Sequence, residues 1–360
     1  MERLRTVSLL ILLTLMPGLR AQAPPGYYNA TTGLYGTALK AALHQIIDGH
    51  TPMAYNQLFA CYASTDDRPD GTVWDMYSDV PGGTPPYIYH FIASDQCGNY
   101  SQEGDCFNRE HSFPKSWFGG DVMPMYSDLF HLYPTDGFVN GQRGNLPYGE
   151  TNNPDWTSLN GSRRGPSAVP GYSGTVFEPI DAYKGDLART YFYMAVRYYS
   201  EDASWPGSPM TNGAEPLSWA LPMLIQWHQS DTVSLKERER NDAVYTFQGN
   251  RNPFIDDPYF AERIWVTSAG LAKGLPELPG WWVGNEGGNL GLVLFTDIPL
   301  KANARLSLLD LCGRQLWQGK MDQGTISYTL PSWRFPSGSY ILTVECPDNR
   351  PASIKIMIIN

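Results

Sequence analysis

The sequence predicts an α+β protein: a large mixed body followed by a small β-sandwich. Three observations carry this. Apolar residues recur at helical spacing in several segments of the first two thirds, with glycine and proline clusters between them. Beyond residue 290 the pattern changes to strict alternation, the period of half-buried strands. Between the two lies a stretch with the composition of a linker, 270–289, rich in glycine and proline. With 360 residues, 42% hydrophobic and 13% aromatic, the chain can bury a sizeable core and still carry a small second unit.

Residues 1–23 read as a secretory signal. Arg3 and Arg5 precede an apolar run from Val7 to Met16, and Ala21-Gln22-Ala23 fits a small-x-small cleavage site. The run is too short to span a bilayer, so the remaining chain is expected to be secreted or held at the cell surface. The body is assigned to 24–269. In it Leu39, Leu43, Ile46 and Ile47 share a helical face, and Gly49 marks a stop. Tyr87–Ile92 reads as a short strand. Asp186–Tyr199 reads as a helix with Leu187, Tyr191, Met194 and Tyr198 on one side, and the segments near Leu217–Trp227 and Leu235–Tyr245 as two more. In 290–360 the alternating sets are Ile326/Tyr328/Leu330, Leu342/Val344 and Ile354/Ile356/Ile358. Asp310–Gly313 and Pro336-Ser337-Gly338 supply turns, and the whole suggests a sandwich.

The formal charge is −10, which argues against a broad cationic groove of the kind that dominates nucleic-acid affinity. A bound divalent ion and a few local arginines could still provide a positive field. Five cysteines in an exported chain raise the prospect of disulfides. Cys97 and Cys106 flank a short loop and form one candidate pair. Cys312 and Cys346 form another, unless each is a buried strand residue. Cys61 reads as packing. Asp66, Asp67, Asp70 and Asp75 read as a solvated acidic turn rather than a calcium loop. His131 reads as a packing or orienting residue rather than a zinc ligand.

The chemistry concentrates between Cys106 and Glu150. Glu110 and His111 are adjacent, and Asn140 follows in Val139-Asn140-Gly141-Gln142-Arg143-Gly144-Asn145. An imidazole that titrates near neutrality suits a general base. A carboxylate and an amide oxygen suit a hard cation such as Mg²⁺, which keeps several waters. Mn²⁺ and Ca²⁺ are alternatives. A regular strand would send Glu110 and His111 to opposite faces, so the pair is expected at a strand end or bend. Asn140 and Arg143 would share a helical face, which would let Arg143 grip a phosphate oxygen. Asn145 is a second candidate for orienting the metal's waters. This set points to metal-assisted hydrolysis of a phosphodiester.

These residues carry a resemblance. Asp95-Gln96-Cys97-Gly98, Asn108-Arg109-Glu110-His111, Pro134-Thr135-Asp136-Gly137, Val139-Asn140 and Arg143-Gly144-Asn145 resemble the endonuclease I family of exported bacterial nucleases. Later blocks, Val176-Phe177-Glu178-Pro179 and Gln248-Gly249-Asn250-Arg251-Asn252-Pro253, extend the likeness over about Tyr55 to Trp265. The resemblance implies a ββα-metal (His-Me finger) site. In it His111 is the base, Glu110 and Asn140 hold one Mg²⁺, and DNA, with RNA as a further substrate, is cut to 5′-phosphate ends. Some members stabilise the leaving group with an arginine in an insertion absent here, which leaves Arg143 or Arg109 for that role. Residues Leu308–Arg314 and Phe335–Leu342, with Lys355 near the end, resemble the C-terminal sorting domain of the type IX secretion system. That likeness implies the outer-membrane secretion machinery as a partner. The rival readings are an exported phosphodiesterase acting on small or lipid-linked substrates, and a catalytically silent surface-binding protein.

Overall fold

The computed structural model describes residues 23–266, 281–285, 292–296, 299–309, 314–331, 334–335, 338–346 and 352–358. The expected signal run and parts of the 270–289 linker lie outside them. So do the Asp310–Gly313 turn, Pro336 and Ser337, and Cys312 with its expected partnership.

The chain forms a mixed helix and sheet structure, an α+β fold. Helix α1 (Gly36–Ile47) buries Leu39, Leu43 and Ile47, as the spacing requires. It ends at Asp48, next to Gly49, which adopts positive φ. Helix α2 (Leu58–Thr65) follows. The segment expected as a strand at Tyr87–Ile92 is irregular. Its Tyr89 carbonyl accepts a single backbone bond, from Val73, and Tyr89 packs on Phe107 instead of building a ladder.

The centre of the body is an antiparallel hairpin with a helix across it. Strands β1 (Phe107–His111) and β2 (Leu132–Asp136) pair in register from Phe107↔Asp136 to His111↔Leu132. Helix α3 (Gly137–Arg143) starts directly at the end of β2. Asp136 fixes that start, because its side chain accepts the Val139 backbone N–H at 2.8 Å and so satisfies an otherwise orphaned donor. Gly137 and Gly141, one turn apart, let the Cys97–Tyr100 segment lie against α3. A Cβ at Gly137 would sit 2.8 Å from Cys97 Sγ, and one at Gly141 2.8 Å from the Tyr100 hydroxyl. Cys97 is bonded to Cys106, so the disulfide clamps the loop over the helix.

Beyond α3 come β3 (Trp156–Thr157), β4 (Arg163–Pro166) and β5 (Thr175–Glu178), a small antiparallel sheet. Helix α4 (Lys184–Arg197) was expected as a one-sided amphipathic helix. It is instead central: every residue from Gly185 to Arg197 is buried, among α1, α5 (Ala220–Ser230) and α7 (Pro253–Asp256). Its charged residues survive burial because they are paired. Arg189 binds Asp186 and Glu237, and Arg197 binds Asp48 and Glu201. A short hairpin, β6 (Thr211–Asn212) and β7 (Glu215–Pro216), precedes α5. Helix α6 (Leu235–Gln248) opens with a capping box between Ser234 and Glu237, and α8 (Tyr259–Ala261) closes the body. The expected solvated acidic turn is only half so. Asp67 and Asp70 are at the surface, but Asp66 and Asp75 are fully buried, and Asp66 binds Arg240.

Residues from Leu39 to Trp265 form one apolar core, and residues from Trp281 to Ile356 form another. The second core is shared by two sheets. One holds β8 (Trp281–Asn285), β9 (Leu292–Thr296) and β12 (Ser327–Thr329) in the order β12-β9-β8. The other runs β11-β10-β13-β14, from β10 (Ala304–Leu309), β11 (Gln315–Met321), β13 (Gly338–Glu345) and β14 (Ala352–Ile358). Leu342, Val344 and Ile356 point into this core, as their alternation indicates.

Candidate active site on the β1 hairpin

Period two divides β1. Asn108 and Glu110 face α3, and Phe107, Arg109 and His111 face the other way. The ladder to β2 is regular through His111, and Glu110 and His111 are the last two residues of β1, so the pair sits at a strand end, the first of the two expected placements.

On the α3 face Glu110 is buried, and its Oε1 collects three donors. They are the Tyr77 hydroxyl at 2.9 Å, Arg143 Nη1 at 2.9 Å and the Tyr148 hydroxyl at 3.4 Å. Burial raises the Glu110 pKa, and Arg143 and the two phenols oppose that rise. Arg143 itself is fully buried. It also donates to the carbonyls of His111 at 2.7 Å and Ser112 at 2.5 Å, and its guanidinium stacks on Tyr148 at 4.5 Å. The expectation that Arg143 grips a phosphate is therefore corrected. Its donors face inward, where they hold Glu110 and the end of β1. Asn140 lies on the same face and donates from Nδ2 to Asn108 Oδ1 at 2.7 Å. Asn145 does not join it. Gly144, at φ 53°, turns the chain out of α3, and Asn145 is exposed beyond that turn.

This face offers a cation two oxygens. The three donors on Glu110 all go to Oε1, which leaves Oε2 without a hydrogen bond among the described contacts. The Asn108 contact directs the Asn140 amide nitrogen inward and leaves its Oδ1 as the free acceptor. A carboxylate oxygen and an amide oxygen fit the Mg²⁺ that the resemblance implies.

On the opposite face His111 is nearly buried and its Nε2 lies 3.2 Å from the Tyr126 carbonyl. A carbonyl only accepts, so the contact puts the proton on Nε2 and the lone pair on Nδ1. Burial, and then the neighbouring His131, hold the His111 pKa well below its usual value. The ring is thus a neutral base at ordinary pH. His131 packs 5.5 Å from His111 and bonds the Met125 carbonyl through Nε2 at 2.7 Å, the packing expected of it. Arg109 shares this face, and its guanidinium lies 4.0 Å from the Tyr55 ring centroid.

Glu110 and Asn140 thus lie on the α3 face and His111 on the reverse, with no hydrogen bond among the three in the described contacts. Sequence reasoning missed Asn108, Tyr77, Tyr148, Tyr55 and Tyr126. Asn108 had a signal, because it stands two residues before Glu110 on the same strand face. The tyrosines come from segments remote in sequence and had none.

A hairpin crossed by a helix, with adjacent carboxylate and imidazole, is the ββα arrangement of a hydrolytic nuclease. The sequence pattern of Endonuclease I matches residues 35–259, and the chain belongs to that family. It is 38% identical over 248 residues to an extracellular ribonuclease of Bacillus amyloliquefaciens, spanning 66% of this chain and 78% of that protein. It is 36% identical over 246 residues to an extracellular ribonuclease of Bacillus subtilis, with 66% and 78% covered. An extracellular deoxyribonuclease of Aeromonas hydrophila is 27% identical over 133 residues, covering 37% of this chain and 50% of that protein.

Proposed function

We propose that the chain is an exported endonuclease that hydrolyses phosphodiester bonds in RNA and DNA to 5′-phosphate ends. His111 is the general base, and Glu110 and Asn140 hold one divalent cation, Mg²⁺ in the first instance. The observation that carries this reading is the His111 tautomer: Nε2 tied to the Tyr126 carbonyl and Nδ1 left to accept a proton. The names of the Bacillus relatives favour RNA as a substrate beside DNA.

His111 Nδ1 takes a proton from the attacking water, and the low pKa keeps the ring unprotonated and ready. Arg143, Tyr77 and Tyr148 hold Glu110 by one oxygen and aim the other. Asn108 does the same for the Asn140 amide. The cation, when bound there, supplies positive charge to phosphate oxygens as negative charge builds up in the transition state. None of these groups reads a base, so little sequence preference follows. The C-terminal strands, in this reading, are the sorting unit that the outer-membrane machinery recognises.

The test is cleavage of a plasmid and of a structureless RNA, with chelator and after Mg²⁺ is restored. Both are cut only with the ion present. Cleavage at an unchanged rate in excess chelator overturns the metal assignment.

A further inference from the structure

The His111 face carries more than the base. Arg109, Tyr55, Tyr126 and Lys115 form a ladder, and Phe59 also packs on the Arg109 guanidinium at 4.4 Å. The Arg109 guanidinium sits 4.0 Å over Tyr55, Tyr55 stacks on Tyr126 at 4.1 Å and 17°, and Lys115 Nζ sits 5.2 Å over Tyr126. The His111 ring lies 6.0 Å from Tyr55 and 5.4 Å from Tyr126, nearly parallel to both. It therefore stands beside the middle of the ladder, between the two cations.

Arg109 has unmet donors. Among the described residues its one hydrogen bond runs from Nη1 to the Tyr55 carbonyl at 3.2 Å, and its buried Nε has no partner. No carboxylate pairs with it among the described residues. By contrast, Arg143, Arg189, Arg240 and Arg251 each hold an acid. In a chain with 36 acids and 26 bases, a partly buried guanidinium beside the proposed base and without an acid is an anion site in waiting. Among the described residues Lys115 is paired only with Asp121, at 2.7 Å, and both are well exposed. Such a pair is worth little, and a phosphate can take the place of the carboxylate.

We propose that Arg109 and Lys115 bind the phosphates on either side of the scissile one. The substrate class is then a polynucleotide with phosphates flanking the cut, and not a small or lipid-linked phosphodiester. This rests on reading His111 as the base. It also explains how an acidic protein holds a polyanion: the positive potential is local to the strip, and the rest of the surface repels the chain. Arg109 is thereby a substrate-binding residue rather than the stabiliser of the leaving group.

The test measures binding of a labelled single strand of about 12 nucleotides, by fluorescence anisotropy in chelator, across a salt series. Arg109→Met keeps the packing on Tyr55, Arg109→Lys keeps the charge, and Lys115→Ala alters only the surface. Arg109→Met and Lys115→Ala are each expected to weaken binding by about tenfold and to flatten the slope of log K against log salt by about 0.7, the value for one phosphate contact on a single strand. Arg109→Lys keeps the slope. With Mg²⁺, KM for the 12-mer rises in both variants while KM for a dinucleotide with one phosphate stays as in the wild type. Wild-type slopes in folded Arg109→Met and Lys115→Ala overturn the proposal, as does a wild type whose binding ignores salt. Should Arg109→Met fail to fold, Lys115→Ala decides by the same slope. A wild type that binds with the expected slope yet cuts nothing in Mg²⁺ sinks the base assignment and leaves the phosphate strip standing.

Discussion

The two faces of strand β1 are built from alternate residues of one five-residue segment, and they are closed in opposite ways. The α3 face is ionic: a buried carboxylate, a buried guanidinium and two phenols converge on Glu110 Oε1. The reverse face is aromatic: His111 lies parallel to Tyr55 and Tyr126, with one backbone carbonyl fixing its tautomer. The difference teaches how neighbours in sequence come to have separate tasks. A carboxylate that must stay charged in the interior needs donors around it. An imidazole that must stay neutral needs apolar walls and one acceptor. A strand separates the two environments by one pleat.

Four changes would break or sharpen this contrast. His111→Ala removes the base from the aromatic face. It is expected to lower cleavage by about 10²–10⁴-fold while Mg²⁺ binding, followed by calorimetry, persists; normal turnover would refute the assignment. Arg143→Ala strips the cation from the ionic face. It leaves Glu110 buried without its charge partner and is expected to destabilise the protein by about 3–5 kcal/mol in urea unfolding. Adding Glu110→Gln should recover part of that loss, and strict additivity of the two substitutions would show that the pair is not coupled.

The third change moves away from β1 to a histidine kept neutral by similar means. His228 in α5 is buried, its Nε2 bonds the Pro258 carbonyl at 2.9 Å, and Arg189 and Glu237 face it. Burial, and then Arg189, lower its pKa from 6.5 to about 4. The unfolded chain therefore takes up this proton first. Stability present above about pH 6.5 is lost as pH falls towards 4, by on the order of 3 kcal/mol. His228→Gln should flatten that limb of the stability–pH curve, and an identical limb would remove His228 as its source. The smallest effect is expected from Asn108→Ala, which frees the Asn140 amide to rotate. Mg²⁺ affinity should fall by about tenfold with little change in Tm; an unaltered Mg²⁺ titration would show that Asn108 does not position the ligand.

Much was legible without coordinates. The periodicity marked α1, α4, α5 and α6, and the alternating sets marked β12, β13 and β14, whereas β8 falls inside the stretch expected as linker. Glu110, His111 and Asn140 stood out by chemical type and by the resemblance they carry. Other expectations failed for identifiable reasons. Arg143 looked like a phosphate ligand because it shares a helical face with Asn140, whereas here that face turns it inward onto Glu110. Tyr87–Ile92 had strand composition but no partner strand. Asp66 and Asp75 looked solvated because the arginine or backbone that meets each acid lies far along the chain.

The sequence by itself determined the order of the elements and the period-two division of β1, because both follow from local backbone geometry and from which side chains avoid water. Only the tertiary structure decided which oxygen of Glu110 is free, which nitrogen of His111 carries the proton, and that Arg109 meets no acid among the described residues. Those outcomes depend on Tyr77, Tyr148, Tyr126 and Tyr55, brought in from distant segments by the common core. Contacts between remote segments are set by the packing of the whole chain, and no spacing within one segment encodes them.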